Sequence, residues 1–151
     1  MKNITPFRLT LMLTPMVIAL ALAMDVYVPA IPNMTKFFHV SDNVMLLTLN
    51  LFMLTAGIMQ LLIGPLSDAY GRKLLLYIMT GFFAAGSFLC ALSPNPYLLI
   101  LFRIIQSIGC CGLLVLGFAI VRDCYSGTKS ARIYSYLNGL ISFSPMFAPF
   151  I

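Results

Sequence analysis

Two ionisable side chains, Asp25 and Arg103, lie inside long apolar stretches of a 151-residue sequence in which only 9% of the residues are charged. An ionised side chain within a bilayer costs at least about 2.5 to 3.5 kcal/mol on insertion scales, and such residues usually belong to a pathway for protons, ions or substrate. A carboxyl group that faces a cation in an apolar cavity can load and release a proton near physiological pH. Asp25 is therefore a candidate proton or cation site, and Arg103 is the cation that would adjust it.

The depths of the two side chains can be compared by counting along a helix. Asp25 lies about 24 Å from one face of the bilayer, counted from Leu9, and Arg103 lies about 9 Å from the opposite face, counted from Tyr97. In an apolar core of roughly 30 Å, both fall in the same half. We expect them to meet or to face one cavity. The competing interpretation is that Asp25 reaches the interface and Arg103 is structural.

The sequence supplies membrane-spanning elements to position these groups. It is 61% hydrophobic, with a mean hydropathy of +1.00, whereas a soluble domain carries roughly 25% charged residues. We predict an all-α integral membrane protein with four complete transmembrane helices and a truncated fifth. The apolar segments are residues 9–30, 44–66, 74–92, 97–121 and 132–151. A cleaved signal peptide is a competing interpretation of the first segment, but further membrane segments follow it.

Basic residues indicate the orientation of these segments. An N-terminus in the cytoplasm places seven of the nine basic residues on that side and leaves Lys36 outside, in agreement with the positive-inside rule. The seven are Lys2, Arg8, Arg72, Lys73, Arg122, Lys129 and Arg132. This distribution accounts for the net charge of +5 and gives no reason to expect nucleic-acid binding.

Smaller features give further expectations. Pro29 and Pro32 should end or break the first helix before a polar connection at residues 33–43, where His39 has no nearby ligand set. The four cysteines lack metal-binding spacing, and we interpret three of them as small packing residues in apolar runs. Gly81 and Ala85, four residues apart, should form a small face for close helix packing.

A short polar stretch at residues 64–73 separates the second and third segments, and its glycines predict a tight helix-to-helix connection. It resembles the loop motif G-x-L-x-D-x-x-G-R-[KR] of the major facilitator superfamily. The matching residues are Gly64, Leu66, Asp68, Gly71, Arg72 and Lys73.

Four other stretches resemble motifs of the Bcr/CflA-type drug exporters in the drug:proton antiporter branch of that superfamily. They are residues 25–32 (DVYVPAIP), 103–109 (RIIQSIG), 119–125 (AIVRDCY) and 145–149 (PMFAP). Ser107 stands where the family usually has glycine, which puts the local approach of the backbone in question. The family has twelve helices in two six-helix halves, so the resemblance implies that residues 1–151 are an incomplete N-terminal half.

The resemblance also implies a function and roles for individual residues. It implies a proton-coupled secondary transporter of the bacterial inner membrane that exports drugs or small metabolites by alternating access. It needs no cofactor, since the proton motive force supplies the energy. Its partners would be an amphipathic small-molecule substrate, protons, the lipid bilayer and the missing C-terminal half. The implied roles are proton and substrate coupling for Asp25, Arg103 and Gln106, cytoplasmic gating for Gly64, Asp68, Gly71, Arg72, Lys73 and Asp123, and an antiporter motif at Pro145, Ala148 and Pro149.

Two other classes of function compete with transport. The chain can be a truncated membrane protein without transport activity, either an assembly or modulatory partner or a non-functional product. An integral-membrane enzyme would need a nucleophile and base, or a set of metal ligands, at membrane depth. One histidine and one buried aspartate do not supply them, so we expect no enzymatic activity.

Overall fold

The computed structural model of the chain describes residues 6–125 and 127–147, and these residues form helices and no strands. The helices are α1 (Pro6–Asp25), α2 (Tyr27–Phe38), α3 (Asp42–Tyr70), α4 (Arg72–Ala91), α5 (Pro96–Cys124) and α6 (Thr128–Phe147). The predicted all-α architecture is confirmed.

The first predicted segment consists of two helices, α1 and α2, that meet at Val26 with a bend of 42°. The break lies upstream of the prolines, because the ring of Pro29 would collide with the carbonyl of the residue four positions earlier, Asp25. Pro29 then sits in the first turn of α2, where proline is tolerated. The expected polar connection at residues 33–43 is therefore wrong over much of its length, since α2 continues to Phe38.

The junction between α3 and α4 is shorter than its sequence predicts. Helix α3 runs through Gly64 and Pro65 to Tyr70, and α4 begins at Arg72. Gly71 alone separates them, with a φ of 87° that favours glycine. The interpretation of residues 64–73 as a connecting loop is therefore wrong, because most of these residues are helical.

Helix α5 lies at the centre of the bundle and contacts α1, α3, α4 and α6. Its contact with α4 is close enough to require glycine. A Cβ on Gly109 would collide with the backbone of Met79 and Phe83, and one on Gly86 would collide with the backbone of Gln106. Close packing therefore occurs here and not at the predicted Gly81–Ala85 face, which is exposed.

Two apolar cores hold the helices together. One joins α1, α5 and α6 through residues that include Val17, Val121 and Leu137, and the other joins α3, α4 and α5 around Ile63 and Leu116. Cys110 and Cys111 are buried in α5, as expected of packing residues. Many large apolar side chains on the outer faces are exposed, which suits a protein surrounded by lipid.

Several helices are suited to crossing a membrane. Helices α3, α4 and α5 have the necessary length and hydropathy, and α1 with α2 forms a fourth span if the bent pair is counted as one. Helix α6 coincides with the predicted fifth segment, but it is less apolar over its described length because its first turns carry Lys129 and Arg132. Residues 148–151 of that segment lie outside the described residues. The chain is thus a multi-pass membrane protein.

Candidate functional site

Arg103 lies on α5 with only 6% of its surface exposed. Its Nη1 donates hydrogen bonds to the main-chain carbonyl of Ala23, at 2.9 Å, and to Oε1 of Gln106, at 3.0 Å. Ala23 belongs to the last turn of α1, where carbonyls lack partners within their own helix and the helix dipole favours a cation. The break at Val26 therefore creates an acceptor for the buried guanidinium group.

Aromatic rings complete the surroundings of this cation. The guanidinium carbon lies 3.5 Å from the centroid of the Tyr27 ring and 5.5 Å from that of Phe52. A desolvated cation over an aromatic face gains about 2 kcal/mol or more. The Tyr27 hydroxyl is hydrogen-bonded to the hydroxyl of Thr48 on α3, and this bond fixes the ring against Arg103.

Gln106 extends the polar contacts from α5 to α4. Its Nε2 donates a hydrogen bond to Oγ of Ser87 at 2.9 Å, while its Oε1 accepts from Arg103. Gly86, next to Ser87, permits the two helices to approach closely at this level. Arg103 and Gln106, which the sequence predicts to act together, are therefore in contact.

Ser107 stands where the family usually has glycine, and the structure shows how the larger side chain fits. Its side chain is fully buried, and its Oγ donates a 2.7 Å hydrogen bond to the carbonyl of Phe52 on α3. Serine is therefore accommodated, and it adds a contact between helices that glycine cannot make.

Asp25 is not in direct contact with Arg103. It is the last residue of α1 and half-buried, and no ion pair joins it to Arg103 within the described part of the chain. Nη1 of Arg103 instead donates to the Ala23 carbonyl and to the Gln106 side chain. Asp25 and Arg103, which are expected to meet because of their similar depth in the membrane, therefore do not form an ion pair within the described residues.

A cavity of about 290 Å³ opens beside Arg103, between α1, α2, α4 and α5. Arg103, Gln106 and Tyr27 supply its polar groups, and residues such as Leu22, Met34 and Leu99 supply its apolar wall. Asp25 does not line it. The arrangement can accept a ligand that combines an apolar body with a group able to bind a cation or a side-chain amide.

A second polar cluster lies where α3, α4 and α5 meet. Nη1 of Arg72 is 2.7 Å from a carboxylate oxygen of Asp123, and Nη2 is 3.5 Å from Asp68. Three residues to which the resemblance gives a gating role, Asp68, Arg72 and Asp123, therefore lie together. Lys73 is exposed and makes no ion pair within the described residues. In the remaining predicted motif, Pro145 lies inside α6, whereas Ala148 and Pro149 lie outside the described residues.

Sequence reasoning missed three partners of this site. The Ala23 carbonyl has no side-chain signal. Ser87 and Thr48 do have one, because a hydroxyl on an apolar membrane helix usually faces another helix or a wet cavity.

The sequence of the chain is similar to membrane proteins of one family. The family described as the Major Facilitator Superfamily matches residues 13–151. The chain is 38% identical over 128 residues to the uncharacterized MFS-type transporter YdgK of Bacillus subtilis, covering 85% of this chain and 32% of the relative. It is 33% identical over 142 residues to a chloramphenicol resistance protein of Pseudomonas aeruginosa, covering 93% and 34%.

The multidrug resistance protein D of Escherichia coli is 29% identical over 151 residues, which is all of this chain and 38% of that protein. The chain thus spans about a third of the length of these curated relatives. The match over residues 13–151, together with the all-α bundle, shows that the chain belongs to the major facilitator superfamily.

Proposed function

We propose that the chain is the N-terminal portion of a proton-coupled secondary transporter that exports drugs or small amphipathic metabolites across the bacterial inner membrane. In this proposal residues 1–151 belong to an N-terminal six-helix half, with the N-terminus in the cytoplasm. Two of the relatives are named for resistance to chloramphenicol or to several drugs, which supports export of such compounds.

The main support for the proposal is that Arg103 is buried, donates hydrogen bonds and lines a cavity. Transporters of this type bind substrate near the bilayer midplane, at the interface of helix repeats, often where a helix is broken. Arg103 bonds to the main chain at such a break, between α1 and α2. An amphipathic substrate would place its polar group near Arg103 and Gln106 and its apolar body against the remaining wall.

Asp25 is proposed as the proton-carrying group, with Arg103 acting on it through α1. The Ala23 carbonyl that binds Arg103 is two residues from Asp25 in the same helix. A movement of α5 relative to α1 would therefore alter the surroundings of the Asp25 carboxyl group. Arg72, Asp68 and Asp123 are proposed to stabilise the outward-open state, because their ion pairs join α3, α4 and α5 at the cytoplasmic end.

The proposal requires a longer protein, and the first measurement is the intact mass in native membranes, with the reading frame followed past Ile151. A mass well over twice 16.7 kDa supports it, because the match covers about a third of each relative. A mass near 16.7 kDa would overturn the proposal that this chain belongs to a longer transporter.

Transport is tested on that longer protein in everted membrane vesicles. Addition of chloramphenicol should release protons from energised vesicles containing the wild type, as reported by a pH-sensitive dye. We expect Asp25→Asn to abolish this release, whereas Asp42→Asn, which changes an exposed carboxylate at the start of α3, should leave it intact. Uphill, proton-dependent export by Asp25→Asn would overturn the assignment of the proton site.

A further inference from the structure

A larger cavity, of about 630 Å³, lies between the beginnings of α1 and α6 and shares no lining residue with the cavity beside Arg103. Thr14 on α1 and Thr128, Lys129 and Arg132 on α6 contribute polar groups to its wall. Side chains three or four positions apart share one helix face, so Thr128, Lys129 and Arg132 point to the same side of α6. None of these residues takes part in the proposed proton or substrate coupling.

The two cations of this cavity are placed unfavourably for the protein alone. Both lie in the first turns of α6, where the helix dipole favours an anion, and the first turn contains no acidic residue. The carboxylates at this end of the bundle, Asp68 and Asp123, both pair with Arg72. Among the described residues, no carboxylate lines the cavity. An external anion would therefore satisfy both cations and the helix terminus.

Apart from Thr10, the remaining wall of the cavity is mainly apolar. Leu11 on α1 and Tyr136 on α6 are exposed, and Ile133 is buried beneath them. Tyr136 lies one turn deeper along α6 than Arg132. Along α6 the groove therefore passes from a cationic end at the start of the helix to a less polar end at Ile133 and Tyr136, which resembles the division of polarity in a phospholipid.

The positive-inside rule explains why basic residues occur at this end of the bundle, but it does not require them to converge. Lys73 and Arg122 satisfy that rule from exposed positions outside this cavity. Lys129 and Arg132 are exposed as well, but they share one groove with threonine side chains and an apolar wall. Their convergence on one groove therefore suits the binding of an anionic ligand, in addition to setting the orientation of the helices.

We propose that the groove between α1 and α6 binds an anionic phospholipid. Lys129 and Arg132 contact the phosphodiester, the hydroxyl of Thr128 donates a hydrogen bond to one of its oxygens, and an acyl chain lies along the apolar wall. Basic pockets between transmembrane helices bind anionic headgroups in this manner. The proposal does not depend on transport activity.

The test is native mass spectrometry of the full chain released from detergent micelles, with phosphatidylglycerol or phosphatidylcholine added in increasing amounts. We expect the wild type to retain phosphatidylglycerol preferentially. Lys129→Gln with Arg132→Gln should weaken that retention at least tenfold and leave phosphatidylcholine binding unchanged. The matched control, Lys73→Gln with Arg122→Gln, removes the same charge at the same end of the bundle and should retain the preference.

Three further measurements distinguish a specific lipid site from misfolding, from a general charge effect and from binding of a soluble anion. The exchange Lys129→Arg with Arg132→Lys preserves the charges and should preserve binding, while circular dichroism verifies the helix content of each variant. An equal loss in the control variant would show a general surface-charge effect and overturn the site. Competition by glycerol phosphate at the same concentration would identify a soluble anion as the ligand and overturn the lipid assignment, as would equal retention of the two lipids by the wild type.

Discussion

The guanidinium carbon of Arg103 lies 3.5 Å from the centroid of the Tyr27 ring. Among the described residues, this buried cation contacts an aromatic face, a main-chain carbonyl and a side-chain amide, and it forms no ion pair with a carboxylate. The planar shape of the guanidinium group allows it to stack and to donate hydrogen bonds at the same time. The requirement at position 103 is therefore for arginine specifically.

Replacement of Arg103 by lysine should destabilise the protein although the charge is kept. Lysine is a compact point charge that cannot reproduce the stacked geometry, and one lost hydrogen bond to a charged group costs about 1.5 to 3 kcal/mol. Unfolding in mixed detergent–SDS micelles, followed by circular dichroism, measures this loss. The control is Arg122→Lys at an exposed position, where we expect a change below about 0.5 kcal/mol. Equal stability of the two variants would contradict the role of the stacked contact.

Replacement of Gly109 by alanine should disrupt the contact between α4 and α5. The new Cβ would meet the backbone of Phe83 and Met79, which cannot move aside as a flexible side chain can. Overpacking of this kind costs about 1 to 3 kcal/mol, measured in the same unfolding assay. Gly81→Ala on α4 is the matched control, since a Cβ there has no neighbour within 4 Å. The control should be neutral or stabilising, because alanine favours helices by about 1 kcal/mol over glycine.

Replacement of Ser107 by alanine should weaken the contact between α3 and α5. The lost hydrogen bond to Phe52 is expected to cost about 0.6 kcal/mol, with an upper value near 1.7 kcal/mol for a bond between membrane helices. Ser142→Ala is the control, because that hydroxyl is exposed and bonds only within α6, to the carbonyl of Asn138. An effect of Ser142→Ala as large as that of Ser107→Ala would show that the contact between helices is not responsible.

A double-mutant cycle on Arg72 and Asp123 should give a larger coupling energy than one on Arg72 and Asp68. The first pair is separated by 2.7 Å and the second by 3.5 Å. Both are partly exposed, so we expect coupling of about 0.5 to 1 kcal/mol for Asp123 and less for Asp68. Unfolding of the four alanine combinations for each pair provides the measurement. A stronger coupling through Asp68 would reverse the order that the distances give.

Sequence reasoning predicted the apolar helices because bilayer thickness fixes the length of a span. The family resemblance placed Asp68, Arg72 and Asp123, which lie together in the structure, in one set of gating residues. It failed to distinguish Gly81 from Gly86 as the packing position on α4. In a soluble helix, apolar residues mark the packed face, but on a membrane helix the lipid-facing and protein-facing sides are both apolar. Which glycine packs against a neighbour can be decided only when the position of the neighbouring helix, α5, is known.

The predicted meeting of Asp25 and Arg103 failed for a different reason. Counting residues gives the depth of a side chain but not the direction in which it points or the groups that already satisfy it. A bend at Val26 alters that direction, and Nη1 of Arg103 donates to the Ala23 carbonyl and to Gln106. A break within an apolar run has weak sequence signals, and a main-chain acceptor has none.

The bond between Arg103 and the carbonyl of Ala23 also has a genetic consequence. Every amino acid supplies the same carbonyl at position 23, so substitutions there leave the acceptor in place, whereas most substitutions at position 103 remove the donor. A saturation mutagenesis survey would record intolerance on α5 and tolerance at position 23 of α1, although the two positions share one interaction. Covariation between the two positions would be absent for the same reason, and the contact would be invisible to methods that infer proximity from paired sequence changes.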